Sequence, residues 1–197
     1  MKIGTKSVLF GAHCFCIHPL FVFAAWWKLY GFVWDPRLWI AFFVHDLGYW
    51  GKPNMDGPEG ETHVELGAKI MSVFGNDWAN FSRYHSRFYA KKDGVNPSKL
   101  CVADKLSICL TPSWLYLPMV NWTGEIKEYM KLASQRKSSG EPLSKYESMK
   151  INTSNQKDWF KGVQHYLLRW ALTHKDNLND SWTPDSKLAV NKEGVWK

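Results

Sequence analysis

The chain has 197 residues, enough for one domain with a sizeable hydrophobic core. Its 25 Lys and Arg against 18 Asp and Glu give a formal net charge of +7, and 16% of its residues are aromatic. A basic balance suits a polyanionic ligand such as a nucleotide. The charges are scattered, without a long Lys/Arg run, which argues against a protein dedicated to nucleic acid.

The apolar stretch 14–34 has about the length of a membrane span, which needs about 20 apolar residues. It is interrupted by residues that are costly or unusual at membrane depth, namely His18, Pro19, Lys28 and Gly31. It also lacks the small-residue cleavage site of a signal peptide. We therefore expect no membrane partner and a cytoplasmic protein.

The four cysteines show no Cys-x-x-Cys spacing of the kind that binds zinc. The run His13-Cys14-x-Cys16-x-His18 contains four possible metal ligands. On a helix, however, these side chains fan around the axis, and only Cys14 and His18 would share a face. Buried structural cysteines are the favoured interpretation, and they suit a reducing compartment.

Helical spacing and capping signals predict an all-α fold. The first helix is expected at about 7–29, with a bend at Pro19. Asp35 and Pro36 open a second helix that ends at His45 and Asp46, and Thr62 opens a third in a capping box. Further helices are expected from about 76 to His85 and from 97 to 110, followed by C-terminal helices at about 123–137 and from Ser154.

The whole of 1–175 is expected to form one domain. Its chemically informative core covers about 10–115, and its C-terminal helices lie in 123–175. Residues 138–147 should form a polar loop, and 176–197 a polar tail rich in Asn, Asp and Lys. The chain contains no internal repeat and no low-complexity tract.

The pair His45-Asp46 directly follows the apolar run Leu38–Val44. A carboxylate at the end of a core-facing helix loses water on burial, which costs several kcal/mol unless the charge is compensated. A metal ion is an effective compensation, because neutral imidazole and carboxylate together suit Zn, Mn, Fe, Ni or Mg. The pair therefore indicates a buried metal site.

Six residues in order, His, His-Asp, His, His and Asp, resemble the HD superfamily of metal-dependent phosphohydrolases, in its dinuclear form. Their contexts are Ile17-His18-Pro19-Leu20, Val44-His45-Asp46-Leu47-Gly48, His63-Val64-Glu65, Tyr84-His85-Ser86 and Ala103-Asp104-Lys105. The resemblance implies an HD-domain helical bundle with additional C-terminal helices. It also implies that the metal ligands are His18, His45, Asp46, His63, His85 and Asp104.

What the resemblance implies chemically is hydrolysis of a nucleotide-type phosphoester or phosphoanhydride by water that a metal activates. The cofactor would be a divalent ion (Mn, Fe, Ni, Zn, Co or Mg), two per chain, with Asp46 placed to bridge them. Beside Asp46, the candidate catalytic residues are the phosphate contacts Lys52, Arg87 and Lys105. One of Asp56, Glu59 and Glu61 is expected either to protonate the leaving group or to lie in a solvated loop.

One departure from the superfamily pattern narrows the range of substrates that the resemblance implies. Many nucleotidases of the superfamily carry a Glu three positions after the Asp of the pair, where this chain has Tyr49. The Gly-Tyr-Pro motif of the cyclic-di-GMP enzymes is also missing. Two other classes stay open: a catalytically silent sensor that binds nucleotide and metal, and a nucleic-acid-binding protein with a structural metal. The pattern does not indicate an oligomeric state.

Overall fold

The computed structural model describes residues 1–139 and 151–176, with side chains described up to residue 134 in the first range. Within these ranges there are helices and no strands, which confirms the predicted all-α fold. The helices are α1 Ile3–Phe10, α2 His18–Tyr30, α3 Pro36–Val44, α4 Pro58–Glu61, α5 Val64–Met71, α6 Asn76–Arg83, α7 Arg87–Lys92, α8 Lys99–Leu110, α9 Ser113–Thr123, α10 Glu125–Ser139 and α11 Gln156–His174. Short 3-10 turns lie at Leu47–Tyr49 and Ser72–Phe74.

Side-chain caps fix where several helices begin. The Asp35 carboxylate accepts a hydrogen bond from the backbone N–H of Arg37 at 2.9 Å, with Pro36 in the first position of α3. Ser98 caps α8 in the same way, and Asn155 caps α11. Such caps satisfy backbone donors that have no partner within the helix.

The main core lies where α8 packs between α2 and α11, with α3 alongside. Trp26, Phe42, Leu100 and Trp170 are among its buried side chains. A second cluster, around Phe160, joins α9, α10 and α11. Because α8 is buried on both sides, a polar residue near its middle needs a partner inside the protein. In the described part of the chain, no helix is long and apolar enough to cross a membrane.

The N-terminal segment differs from the prediction of one bent helix at 7–29. Helix α1 ends at Phe10, and α2 begins only at His18. Pro19 is in the first turn of α2, where its missing N–H would have no helical acceptor anyway. Proline therefore starts a helix here instead of bending one.

Other helix boundaries also differ from those predicted from the sequence. The predicted capping box at Thr62 is wrong, because His63 occupies the cap position of α5 and makes no side-chain cap bond. Helices α4, α7 and α9 are not predicted by the sequence patterns, and Thr123 is the last residue of α9, so the helix expected at about 123–137 begins instead at Glu125. Asn155, not Ser154, caps α11. Most of the predicted loop 138–147, and of the tail 176–197, lies outside the described residues.

We expect Phe42→Ala to lower the free energy of unfolding by about 3–5 kcal/mol, because it leaves a cavity in the main core. Phe42 is fully buried, whereas Trp34 is 85% exposed. Trp34→Ala is therefore the matched control, and it should change stability by about 0.5 kcal/mol or less. Urea unfolding of both variants measures the difference. Equal losses in the two variants would contradict this assignment of the core.

Candidate metal centre

Five separate chain segments bring the six ligand-type residues together. His18 begins α2, His45 and Asp46 follow α3, His63 precedes α5, and His85 lies just after α6. Among the six, Asp104 alone lies in the interior of a helix, on the buried α8. All six are buried, with exposures between 1% and 7%. The centre therefore forms only when the whole helical array has packed.

The six residues form two groups that share Asp46. In each group, one nitrogen or oxygen atom per residue lies within 4.8 Å of the corresponding atom of every other member. The first group is His18, His45, Asp46 and Asp104, and the second is Asp46, His63 and His85. Imidazole and carboxylate ligands in these numbers could hold a metal ion.

Asp46 divides its two carboxylate oxygens between the groups. Its Oδ2 lies 3.0 Å from His45 Nε2 and 3.3 Å from His18 Nε2. Its Oδ1 lies 3.3 Å from His85 Nε2 and 3.6 Å from His63 Nε2. His18 Nε2 is also 3.0 Å from Asp104 Oδ1, which completes the first group. Asp46 thus turns one carboxylate oxygen toward each group.

Backbone contacts fix the protonated ring nitrogen of three of the histidines. His45 Nδ1 lies 2.9 Å from the Phe42 carbonyl oxygen, and His63 Nδ1 lies 2.8 Å from that of Gly60. His85 Nδ1 makes the same bond to the carbonyl three residues earlier. A carbonyl only accepts, so in each case Nδ1 carries the hydrogen and Nε2 of the neutral ring has a free lone pair. All three Nε2 atoms face the centre.

The short distances between these buried acceptor atoms indicate whether a cation fits among them. His63 Nε2 and His85 Nε2 are 3.0 Å apart, so two lone pairs face each other when both rings are neutral. His18 Nε2, His45 Nε2 and Asp46 Oδ2 are buried and have no well-directed hydrogen bond, despite their short mutual distances. Such an arrangement is unfavourable without a proton or a metal ion between the atoms. The residues therefore fit a bound cation.

The charge balance of the carboxylates favours the same conclusion. Burial raises the pKa of Asp46, but the surrounding imidazoles, His45 and His13 foremost and then His18, outweigh it and hold that pKa well below its usual range. Burial also raises the pKa of Asp104, and the Lys105 ammonium and His18 more than reverse this effect. Both carboxylates are therefore ionised, as ligands must be.

Two of the imidazoles are held neutral. Burial lowers the pKa of His45, and burial together with the charge of His85 lowers that of His63 well below the usual range. The pKa of His18 is shifted in the opposite direction in the absence of metal. Burial lowers its pKa, but the adjacent carboxylates of Asp104 and Asp46 outweigh this and raise it to about 9. A metal ion in the first group would replace that proton.

Two glycines allow the close approach that the centre needs. A Cβ on Gly48 would overlap the His63 carbonyl, so only glycine lets the turn after Asp46 pack on the start of α5. A Cβ on Gly67 would lie 3.0 Å from His45 Cα and 2.8 Å from Ser82 Oγ. Gly48 and Gly67 thus keep both groups within reach of Asp46.

Two of the three predicted phosphate contacts, Lys105 and Lys52, lie beside ligand-type residues, and the third, Arg87, packs against α11. The Lys105 ammonium is 2.9 Å from Asp104 Oδ2, and the Lys52 ammonium donates to the Thr62 hydroxyl, next to His63. The Arg87 guanidinium donates to the Tyr166 hydroxyl at 2.6 Å and lies 5.2 Å from the centre of the Trp170 ring. Their roles toward a substrate stay predictions.

Three residues lie beside the centre that the sequence patterns do not assign to it. The Tyr49 ring stacks on His63, with ring centres 3.9 Å apart and planes 8° from parallel. His13 lies between Tyr49 and His18, at 4.7 and 5.7 Å between ring centres. Glu125, from α10, is fully buried beside His13. The cysteines are free, and Cys14 and Cys16 belong to neither ligand group.

Neither a protein-family model, nor a curated protein, nor a solved structure matches this chain. The structure itself shows a helical protein with a buried His/Asp cluster that could bind metal. The arrangement of this cluster is compatible with the HD pattern.

We expect the chelated, metal-free protein to lose stability as the pH rises from 6.5 to about 9. The pKa of His18 is raised from 6.5 to about 9 in the folded state. Its contribution is therefore complete below the unfolded value and disappears as the pH passes through the folded one. The loss should be on the order of 2–3 kcal/mol in urea unfolding with EDTA present. His18→Gln should remove most of this dependence, and stability that increases over the same interval would contradict it.

Proposed function

We propose that this protein is a metal-dependent phosphohydrolase that cleaves a phosphoester or phosphoanhydride of a nucleotide-type substrate. The observation that carries the proposal is the division of the Asp46 oxygens between two groups of imidazoles. Two divalent ions about 3.5–4 Å apart suit in-line displacement at phosphorus, because they clamp the attacking and leaving oxygens. The ordered sequence contexts of the six residues support the same class.

The ligands would be His18, His45, Asp46 and Asp104 for one ion and Asp46, His63 and His85 for the other. A bound divalent ion (Mn, Fe, Ni, Zn, Co or Mg) lowers the pKa of its water and withdraws charge from the phosphoryl group. The protein's contribution is to hold the ligands in place before the ion arrives. Phosphoryl transfer then needs positioning and charge neutralisation instead of a nucleophilic side chain.

Basic side chains beside the ligands would bind the substrate phosphates. Lys105 reaches the ligand Asp104, and Lys52 reaches the residue before the ligand His63. The planar guanidinium of Arg87 is suited to a phosphate, and its position against Tyr166 restricts its rotation. A net charge of +7 supports a polyanionic substrate.

Glu61 is the acidic residue we propose as proton donor to the leaving group. Burial and the charge of Asp56 raise its pKa, which favours the protonated form, and Ser86, next to His85, donates to its Oε2 at 3.2 Å. Glu59 is less suited, because it is exposed and accepts a hydrogen bond from Asn54. A raised pKa is what a general acid near neutral pH requires.

We expect Asp46→Asn to abolish hydrolysis while the protein stays folded. The substrates to test are nucleoside mono- and triphosphates, cyclic nucleotides and dinucleoside polyphosphates, with added Mn²⁺. Loss of several kcal/mol of metal stabilisation corresponds to a fall of roughly 1,000-fold or more. The exposed His165→Ala is the matched control and should retain activity.

Three results would contradict this proposal. They are wild-type activity in Asp46→Asn, full activity after verified metal removal, and no hydrolysis of any substrate in the series. Salt-dependent binding to RNA or DNA without hydrolysis would favour a nucleic-acid-binding protein instead. Nucleotide binding without turnover would favour the sensor.

We expect two ions per chain in the active protein. Elemental analysis after reconstitution with Mn²⁺ or Zn²⁺ should give about two equivalents, because Asp46 serves both ligand groups. The double variant His63→Ala/His85→Ala removes two ligands of the second group only, and its metal content should fall to about one. One equivalent in both the wild type and the double variant would show a mononuclear centre.

A further inference from the structure

A buried polar chain leads from α10 to the edge of the metal centre. Glu125, the first residue of α10, is fully buried, with no exposed side-chain surface. Its carboxylate accepts hydrogen bonds from the Ser7 hydroxyl at 2.9 Å, the Tyr129 hydroxyl at 3.0 Å and the Thr123 hydroxyl. It also accepts from the Ala12 N–H at 3.3 Å. A buried charge with this many donors is well compensated.

The Ser7 hydroxyl links Glu125 to His13, and the direction of both hydrogen bonds is defined. The Ser7 hydroxyl has one hydrogen, which it donates to Glu125. His13 Nδ1 lies 2.8 Å from the same Ser7 oxygen, so Nδ1 must be the donor in that contact. The hydrogen-bond direction is therefore His13 to Ser7 to Glu125. This places a hydrogen on His13 Nδ1, as the backbone carbonyls do on the Nδ1 atoms of His45, His63 and His85.

The His13 ring contacts the first ligand group directly and the second through Tyr49. Its edge meets the His18 ring, a ligand of the first group, with 5.7 Å between ring centres. Its other neighbour is Tyr49, which stacks on His63 of the second group. His13 also lines a small cavity together with His18, His45 and Asp46. His13 itself belongs to neither group of possible ligands.

We propose that His13 is a positioning residue of the metal centre, held by Ser7 and Glu125, which keeps His18 directly and His63 through Tyr49 in ligating orientation. This inference depends on metal binding by the cluster and not on the reaction that the metal supports. Partners outside the ligand shell that orient metal ligands typically change metal affinity about 10- to 100-fold when removed. Ser7 and His13 should belong to that class, although neither is a member of the two groups of possible ligands.

The chain offers a matched control for ordinary structural damage. Ser7 and Thr123 are both buried hydroxyls, and both donate to Glu125. Only Ser7 contacts His13. Ser7→Ala and Thr123→Val therefore each remove one hydrogen bond from the same carboxylate, but only Ser7→Ala releases His13. Any difference between the two variants reports on the link to the metal centre.

The experiment is calorimetric titration of the full, chelated chain with Mn²⁺, together with urea unfolding of each variant. Ser7→Ala and His13→Gln should raise the Kd for Mn²⁺ about 10- to 100-fold, while Thr123→Val stays within about threefold of the wild type. In addition, ¹⁵N NMR of the metal-free wild type should show the His13 proton on Nδ1. This second measurement needs no variant to fold.

Wild-type affinity in both Ser7→Ala and His13→Gln would overturn the proposal, and so would an equal loss in Ser7→Ala and Thr123→Val. A His13 proton found on Nε2 alone would overturn it as well. The proposed hydrolysis is tested separately. If Ser7→Ala weakens Mn²⁺ binding but the wild type hydrolyses no substrate, the positioning role holds and the enzymatic function fails. A wild type that binds no Mn²⁺ would exclude both.

Discussion

The structure depends on one constraint: Asp46 is a buried, ionised carboxylate within 3.6 Å of four imidazole nitrogens. At least two of those nitrogens, on His45 and His63, are held as bare acceptors, since their other ring nitrogen donates to backbone. Lone pairs that face one another in a buried site repel. A cation turns this repulsion into attraction, so metal binding and folding stability should be linked.

Helix ends explain how the histidines are held. His45 and His85 lie just after α3 and α6, where the last carbonyls of a helix have no intrahelical donor. Their Nδ1–H groups bond to the carbonyls of Phe42 and Ser82, three residues earlier. One contact thus satisfies a backbone carbonyl and selects the tautomer. The position of each helix end is consequently part of the ligand geometry.

The helical class was predictable from local signals, and the six clustered residues were implied by the resemblance of their order and contexts to the HD pattern. A His-Asp pair after an apolar run, or a proline after a histidine, can be read within a few positions. The contact between Ser7 and Glu125 spans 118 positions, and no local pattern indicates it. The failed capping box at Thr62 shows the opposite error. The local motif is present, but the Thr62 hydroxyl does not cap α5. It accepts a hydrogen bond from Lys52 and donates one to the Glu59 carbonyl.

Preorganisation is what connects this packing to function. The ligand atoms of each group already lie within 4.8 Å of one another, and backbone bonds, Gly48 and Gly67 keep them there. A bound ion would therefore require little rearrangement. The free energy needed to bring the ligand atoms together is spent when the chain folds, before an ion binds. The cost is a metal-free fold that contains unfavourable contacts at its centre. The Glu125–Ser7–His13 chain fits this view, because a site under internal repulsion needs support from behind its ligands to keep them converging.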